Sequence, residues 1–496
     1  MNLCVVPFRR NFSPPQRQRT TLMKTSLVLF VFIASTCFAA DPYVDSWFTK
    51  NSGKYARIYQ TSADETAANS VTTWSRGSGT QSSPVYAGVR EVSSSASWVY
   101  IRSSGLASYV MGPWYLNAAK TQLFPNYPAN QHVLYRIPRT PTVPATKTLT
   151  GLGAVGYFVN GVALFDNRDA FYWNGSSEVM GNGLWNRDAY VNESVTFDAA
   201  LAHQAGANHH YHANPIALRY QLDDHVDYSS ANNRYTESTN APTKHSPIVA
   251  WVRDGFPIYG PYGYSNPTNP ASGVRRMVSG FVLRNGQSGT TNLTSSGRHL
   301  LPQWAARAYN RSATLSVSEY GPDVSTTYPL GRYVEDNDYL GDLGYMLGVD
   351  FDLNEYNVRW CVTPEFPNGT YAYFVTITAS GGVAFPYNMG RSFFGNPTGN
   401  TVASITEAVT TNFVGGASAE LRLSTPVVSN NVVTLVWSAT EGGTYRVEST
   451  ANFGGWTTNA SAVNAVFNRG SYSGAAAGAN QFFKVTRAAL ATYDTN

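Results

Sequence analysis

Two segments of the chain carry the same turn pattern, and each predicts a β-hairpin. Residues 156–167 read GYFVNGVALFDN and residues 250–261 read AWVRDGFPIYGP, with alternating apolar residues on both sides of an Asn-Gly or Asp-Gly pair. These pairs favour the positive φ angles of turns that join adjacent antiparallel strands. Amphipathic helical periodicity is scarce elsewhere in the chain. The sequence therefore predicts a mainly β fold: a large irregular β domain with long loops, followed by a small β-sandwich.

Each of these two hairpins precedes an alternating strand that is rich in tyrosine or histidine. The first is followed by His209–His212 and the second by Tyr371–Phe374. The match predicts an internal duplication in which Ala372 and Phe374 replace the histidines of the first copy and form an apolar wall beside them. Chance similarity between two hairpins explains the pattern equally well, because such turns are common.

The segment 203–215, HQAGANHHYHANP, contains four of the eight histidines of the chain. Tyrosine and histidine favour extended backbone and Pro215 interrupts a helix, so we expect a strand over residues 209–213. Side chains alternate between the two faces of a strand, which places His210 and His212 on the same face.

A turn at Gly206 would bring His203 back beside this pair. Three imidazoles then form a three-nitrogen site with an open coordination position. Imidazole is a common ligand of zinc and copper, so the sequence predicts a zinc or copper ion bound by His203, His210 and His212. The alternative is that these histidines are hydrogen-bonding groups of a sheet.

Four segments of the chain together resemble the YHYH family of bacterial secreted proteins. They are residues 156–167, ANHHYHANP at 207–215, KHSPIVAWVRDGFPIYGPYGY at 244–264 and VTPEFPNGTYAYFVTI at 362–377. His209 stands where the name-giving motif of the family has tyrosine. The resemblance implies a set of metal ligands, and it implies no particular activity.

Further candidates lie between the second and third of these segments. His245 opens the third segment before a Ser-Pro turn and is the fourth candidate metal ligand. Acidic residues near His225 are candidates for orienting an imidazole through its second nitrogen, although an exposed loop explains them as well. They are Asp223, Asp224 and Asp227.

Acidic residues are also frequent between residues 335 and 355. Asp350, Asp352 and Asn354 have the opening spacing of a calcium-binding loop, but Glu355 stands at the position that requires glycine. We therefore expect a solvated loop there, with an irregular calcium site as the alternative.

The amino-terminal part of the chain has the pattern of an export signal. Residues 24–40, KTSLVLFVFIASTCFAA, form a short apolar run after one lysine and end in small residues, which predicts a signal peptide cleaved after Ala39. The protein is then secreted to the periplasm, the cell surface or the medium, with no transmembrane segment in the mature chain. The predicted limits are a leader and signal peptide over 1–39 with Met23 as the true start, a YHYH-type domain over 41–413, and a further module over 416–490.

This last module has the character of a separate domain. Val432–Trp437, Thr444–Glu448 and Phe482–Val485 are short alternating segments separated by turns rich in glycine and asparagine. They resemble the small fibronectin-like β-sandwich modules of bacterial secreted proteins. Such a module predicts contact with a cell surface or a polysaccharide.

Charge and cysteine content restrict the partners. The predicted leader carries five basic residues and no acidic residue, so the rest of the chain is nearly balanced in charge. This balance argues against nucleic acid or an anionic membrane surface as a partner. Cys361 is the only cysteine outside the leader, which predicts that the mature chain has no internal disulfide.

Three kinds of function fit these patterns. The first is metal binding outside the cell or at its surface, with an unknown extracellular ligand. The second is an enzyme, either a metal-dependent hydrolase or a copper-type oxidase. The third is a carbohydrate- or surface-binding protein without metal, favoured by the 14% aromatic content and the tyrosine-rich residues 257–264.

Overall fold

The computed structural model describes residues 4–9, 41–476 and 480–489, which belong to two compact units. The larger unit contains residues 46–419 and the smaller one contains residues 4–9, 41–45 and those from Glu420 onward. Both are mainly β, as predicted. The predicted leader and signal peptide lie outside the described residues, apart from the strand Cys4–Arg9. In the part of the chain that is described, no helix is long and apolar enough to cross a membrane.

An eight-stranded sheet forms the centre of the larger unit. In chain order its strands are β1 (Gly156–Phe158), β2 (Ala163–Leu164), β3 (His203–Ala205), β4 (Asn208–Tyr211), β5 (Ile248–Val252), β6 (Pro257–Tyr259), β7 (Val358–Cys361) and β8 (Thr370–Phe374). Their order across the sheet is β3-β4-β2-β1-β5-β6-β8-β7. Strands β1, β2, β5 and β6 are buried throughout, which explains their almost continuous apolar sequences.

Both predicted hairpins are present in this sheet. β1 pairs antiparallel with β2, and β5 pairs antiparallel with β6. The turn glycines Gly161 and Gly255 have φ angles of 79° and 87°, a region that residues with a Cβ rarely adopt. In each turn the preceding side chain accepts a hydrogen bond from the backbone N–H two residues ahead, at 3.2 Å for Asn160 and 3.1 Å for Asp254.

The sheet consists of two halves with the same connectivity. β1 and β5 pair antiparallel at its centre. β4 runs parallel to β2, and β8 runs parallel to β6. The outermost strands β3 and β7 pair antiparallel with β4 and β8. An approximate two-fold axis between β1 and β5 therefore relates the first half (β1–β4) to the second half (β5–β8), which is the arrangement that an internal duplication predicts.

Smaller sheets and short helices surround the central sheet. A five-stranded sheet contains, in spatial order, Asn400–Thr401, Val133–Pro138, Trp98–Ser103, Val89–Ser94 and Thr410–Val414, and a three-stranded sheet contains Glu178–Met180, Arg168–Trp173 and Asn186–Asp188. Two-stranded sheets join Arg57–Ile58 to Val110–Met111, Trp74–Arg76 to Gly79–Gln81, Val226–Ser229 to Arg234–Glu237, Tyr262–Asn266 to Asn269–Arg276, and Phe281–Leu283 to Asn337–Tyr339. The α-helices are Ser62–Thr66, Ala189–Glu193, Ile216–Gln221, Leu293–Ser296 and Gln303–Ala308, and the 3-10 helices are Ser194–Thr196, Val317–Glu319, Val334–Asp336, Leu340–Leu343 and Gly416–Ser418.

The described residues of the smaller unit form two sheets and one short helix, Pro42–Asp45. One sheet contains Val427–Ser429, Val432–Ser438 and Arg469–Ala475, and the other contains Cys4–Arg9, Asn480–Ala489, Thr444–Thr450 and Thr457–Asn464. Leu435 and Trp437 from the first sheet share a core with Tyr445, Val447 and Phe483 from the second. Two sheets with a common core form the predicted β-sandwich, while its likeness to fibronectin modules stays a prediction.

Candidate metal centre

Strands β3 and β4 bring three histidines together. The turn at Gly206 returns the chain so that His203 lies directly opposite His210, and His212 follows two residues later on the same face. All three side chains are buried. The Nε2 atom of His210 lies 3.0 Å from Nε2 of His203 and 3.0 Å from Nε2 of His212. The predicted convergence of these three residues is confirmed, and together they could hold a metal ion.

The other ring nitrogens of His210 and His212 fix which nitrogen carries the proton. Nδ1 of His210 lies 2.9 Å from the backbone carbonyl of Asn208, and Nδ1 of His212 lies 2.8 Å from that of Asp166. A carbonyl oxygen only accepts hydrogen bonds, so each Nδ1 is the donor. In the neutral rings Nε2 therefore carries a lone pair and no hydrogen.

The same argument holds for His203, whose Nδ1 lies 2.7 Å from the hydroxyl of Thr196. That hydroxyl donates its single hydrogen to the backbone carbonyl of Glu193 at 2.7 Å, so it can only accept from the imidazole. All three Nε2 atoms of the neutral rings therefore point lone pairs at one another. This is the arrangement in which hydrogen bonds to Nδ1 orient imidazoles toward a metal.

A carboxylate adjoins the three nitrogens. Glu193 ends the helix Ala189–Glu193, whose first turn is capped by the side chain of Asp188. Its Oε2 atom lies 3.1 Å from Nε2 of His212 and 3.5 Å from Nε2 of His203. This oxygen is buried, and both nitrogens lie within 3.5 Å of it. Sequence reasoning missed Glu193, since no local pattern connects this helix to the histidine strand.

Burial and the carboxylate act in opposite directions on the pKa values of these groups. Burial lowers the pKa of His203 to about 3 and that of His210 well below its usual value. Burial also lowers the pKa of His212, but the hydrogen bond and charge of Glu193 outweigh it and the pKa of His212 is raised. The pKa of Glu193 is correspondingly lowered, because its interactions with His212 exceed the opposing effect of burial. Both shifts favour the charged forms of His212 and Glu193.

The three histidines line a cavity of about 490 Å³. Its walls are largely apolar and include Phe124, Leu152 and Phe165. Asp169 also lines it and pairs with Arg187 at 2.8 Å, and burial raises the pKa of Asp169 to about 7. The side chains of the predicted apolar wall lie elsewhere, because Phe374 packs against His245 and Tyr259 in the second half of the sheet.

The side chains of Tyr211 and His209 point to the face of β4 opposite His210, as strand alternation predicts. The hydroxyl of Tyr211 lies 2.5 Å from that of Tyr109, which also lies 3.4 Å from Nε2 of His209. Tyr211 and His209 are both buried. This face of β4 therefore forms a hydrogen-bonded core, and the face with His210 forms the site.

The fourth candidate ligand, His245, does not join the cluster. Among the described residues the cluster consists of His203, His210 and His212. The imidazole of His245 donates from Nδ1 to the carbonyl of Ser246 at 2.7 Å and packs against Tyr259 and Tyr264. His245 precedes β5 and packs on β6, so it belongs to the second half of the sheet. The expectation that it approaches the other three is corrected accordingly.

Two buried acidic residues outside the cluster have structural partners: Asp224, a candidate near His225, and Asp254 in the second hairpin. Asp224 pairs with the buried Arg219 at 2.7 Å and accepts a hydrogen bond from the hydroxyl of Ser246. Asp254 accepts a hydrogen bond from the hydroxyl of Tyr373 at 2.6 Å. The partners that orient the clustered imidazoles are instead Thr196 and the carbonyls of Asn208 and Asp166.

A family model described as "YHYH protein" matches residues 134–383, just over half of the chain. The chain belongs to the YHYH protein family. The matched region of this YHYH protein contains Glu193 and all three clustered histidines. Comparison of the chain with curated proteins and with solved structures found no match.

Proposed function

We propose that this YHYH protein binds one zinc or copper ion through the Nε2 atoms of His203, His210 and His212. The observation that carries the proposal is the convergence of three lone pairs in a buried space, with neighbouring Nε2 atoms 3.0 Å apart. In the neutral rings these lone pairs face one another. A cation removes this repulsion for all three at once.

The spacing supports the same conclusion. Zinc binds imidazole nitrogen at about 2.1 Å, which places two ligating nitrogens about 3.0 to 3.4 Å apart, depending on the angle at the ion. The observed separations therefore allow binding without a large movement of the sheet. The low pKa of His203 and His210 keeps both rings neutral at physiological pH, as ligation requires.

The cavity beside the histidines favours an ion that also binds water or substrate over an ion with a purely structural role. Structural zinc sites are closed by four protein ligands, whereas reactive sites open onto a space for water or substrate. Here a cavity of about 490 Å³ adjoins the nitrogens. An ion in this position has access to metal-assisted hydrolysis or to oxidation through copper.

The place of action belongs to the proposal as well. The apolar residues 24–40 support export to the periplasm, the cell surface or the medium. The smaller unit, as a β-sandwich, is suited to contact with a cell surface or polysaccharide. The ligand outside the cell is unknown.

Metal analysis of the full chain tests the proposal. Protein purified without a chelator should contain close to one zinc or copper ion per chain by mass spectrometry. If the chain contains no metal and takes up neither Zn²⁺ nor Cu²⁺ after purification, the proposal is refuted and a metal-free binding protein is favoured.

A further inference from the structure

We propose that Glu193 is a direct fourth ligand of this ion, giving a three-nitrogen, one-oxygen set with near-right angles that suits copper(II). The inference rests on the proposed metal binding and extends it to a residue outside the histidine segment. Oε2 of Glu193 is buried, and its neighbours at 3.1 and 3.5 Å are Nε2 atoms of the cluster.

The distances distinguish a ligand from a nearby acid. For bonds of about 2.1 Å, two donors lie about 3.0 Å apart when they subtend a right angle and about 3.4 Å apart in a tetrahedron. The Nε2 atoms of His203 and His212 each lie 3.0 Å from Nε2 of His210. Oε2 of Glu193 lies 3.1 Å from Nε2 of His212. The oxygen therefore occupies a place equivalent to that of the nitrogens. A general base would lie farther out, where it could reach a water molecule on the ion.

The geometry also narrows the choice of metal ion. Three of the four measured edges match right angles, and only the 3.5 Å edge between Glu193 and His203 matches a tetrahedron. Tetragonal sites of nitrogen and oxygen ligands are typical of copper(II), whereas structural zinc sites are tetrahedral. A tetragonal ion with four protein ligands keeps exchangeable positions that the cavity can supply with a small ligand.

The surroundings hold Glu193 in this position. The hydroxyl of Thr196 bonds both the backbone carbonyl of Glu193 and the imidazole of His203. A single residue thus fixes the carboxylate-bearing backbone relative to the ring. Asp169, another carboxylate that lines this cavity, is paired with Arg187 instead, and it provides a matched control.

The test loads the full chain with Cu²⁺ and compares the wild type with Glu193→Ala, Glu193→Gln and Asp169→Asn. Copper affinity is measured by competition with a chelator, and the ligand set by electron paramagnetic resonance. We expect an axial, tetragonal spectrum for the wild type. Glu193→Ala should weaken binding ten- to hundred-fold and shift the copper hyperfine splitting, as should Glu193→Gln, which retains the side-chain volume. Asp169→Asn should stay within about twofold of the wild type with an unchanged spectrum.

The outcomes separate this inference from the metal-binding proposal. Unchanged affinity and spectrum in both Glu193 variants would overturn the ligand role and leave the three-histidine site intact. A wild-type spectrum typical of a distorted tetrahedron would overturn the geometry. A wild type that binds Zn²⁺ but no Cu²⁺ would overturn the copper(II) site alone, and one that binds neither ion would refute both proposals. Thermal unfolding shows whether each variant folds. If Glu193→Ala does not fold, the copper affinity and spectrum of Glu193→Gln decide between the outcomes.

Discussion

The two halves of the central sheet have the same connectivity and carry different side chains on one face. Tyr211 lies beside Leu164 in the first half, and Tyr373 lies beside Ile258 in the second, so the two tyrosines are equivalent. His210 and His212 flank the first tyrosine, whereas Ala372 and Phe374 flank the second. The predicted replacement of the histidines is therefore what the strand register shows.

The face that carries the tyrosines is retained in both halves. Nδ2 of Asn160 lies 3.5 Å from the hydroxyl of Tyr211, and the hydroxyl of Tyr373 donates to Asp254 at 2.6 Å. Each tyrosine thus contacts the turn of its own hairpin. The opposite face differs, because His203 lies opposite His210 while Arg359 lies opposite Ala372.

The guanidinium of Arg359 is buried, donates to the carbonyl of Tyr264 at 2.9 Å and approaches the ring of Phe374. The second half therefore fills with packed side chains the face that holds the ligands in the first half. Since the second half has the same connectivity without these ligands, the connectivity of the sheet does not depend on a metal ion. The site is an addition to one face of one half.

The largest expected effect comes from removing the histidines of the first half. The double substitution His210→Ala and His212→Ala should reduce bound zinc or copper from about one ion per chain to nearly none, because one imidazole cannot hold the ion. Phe374→Leu, at the position equivalent to His212, should leave the metal content unchanged while lowering stability by about 1 kcal/mol through lost packing. Metal analysis of both variants checks this comparison. Full metal retention in the double variant would contradict the site.

The next effect concerns the face that both halves retain. Tyr373→Phe should lower the free energy of unfolding by about 2–3 kcal/mol, because the buried Asp254 loses a donor and the N–H of Phe394 loses its acceptor. Tyr211→Phe should cost about 1 kcal/mol, since its partners, the hydroxyl of Tyr109 and the amide of Asn160, are both uncharged. Urea denaturation measures both, and the reverse order would show that the two tyrosines are not equivalent in role.

Much of the first half could be predicted from sequence, because its geometry is local. Strand alternation places His210 and His212 together, and a short turn returns His203. The hairpins follow from Asn-Gly and Asp-Gly pairs. Such features depend on residues close together in the chain, so spacing alone determines them.

The remaining parts of the site depend on packing between distant segments. Glu193 and Thr196 reach the histidines from a separate helix, and no periodicity marks them. His245 shows the converse, because its place in a family segment says nothing about which half of the sheet it joins. The two-fold arrangement places it on the second half.

The acidic segment 335–355 illustrates the same limit. Glu335 is buried and accepts hydrogen bonds from Asn186 and from Tyr309, and Asp336 pairs with the buried Arg298 at 2.7 Å. The expectation of a solvated loop is therefore wrong for these two residues. Their partners lie far away in the chain, and composition alone cannot identify a buried ion pair.

The two hairpin turns should also differ in their contribution to the pH dependence of stability, which is a smaller effect. Burial raises the pKa of Asp254, whereas the equivalent Asn160 does not titrate. A raised pKa in the folded state means that the contribution of Asp254 to stability is fully present below its unfolded pKa of about 3.9 and is lost as pH rises through the folded value. The wild type should therefore lose stability as pH rises through this range.

Asp254→Asn, which copies the first turn, should remove this pH dependence. It should also lower stability at every pH, because the single amide oxygen can accept from the hydroxyl of Tyr373 and the N–H of Gly395, which leaves the NH2 group facing the N–H of Phe256. Urea denaturation of both proteins between pH 3.5 and pH 8 checks the slope. Identical slopes for the two proteins would exclude Asp254 as the source.

The smallest effect is expected from removing the part of the smaller unit that begins at Glu420. If the metal site is a property of one half of the central sheet, a chain of residues 41–419 should still bind one ion. The end point follows the strand Thr410–Val414, which pairs with Val89–Ser94 in the five-stranded sheet and would be cut by an end at Phe413. Metal analysis of the shortened chain should give the wild-type value, and the shortened chain with His210→Ala and His212→Ala should bind none. Loss of metal or of solubility in the unsubstituted shortened chain would show that the first half of the sheet needs the residues from Glu420 onward to form its site.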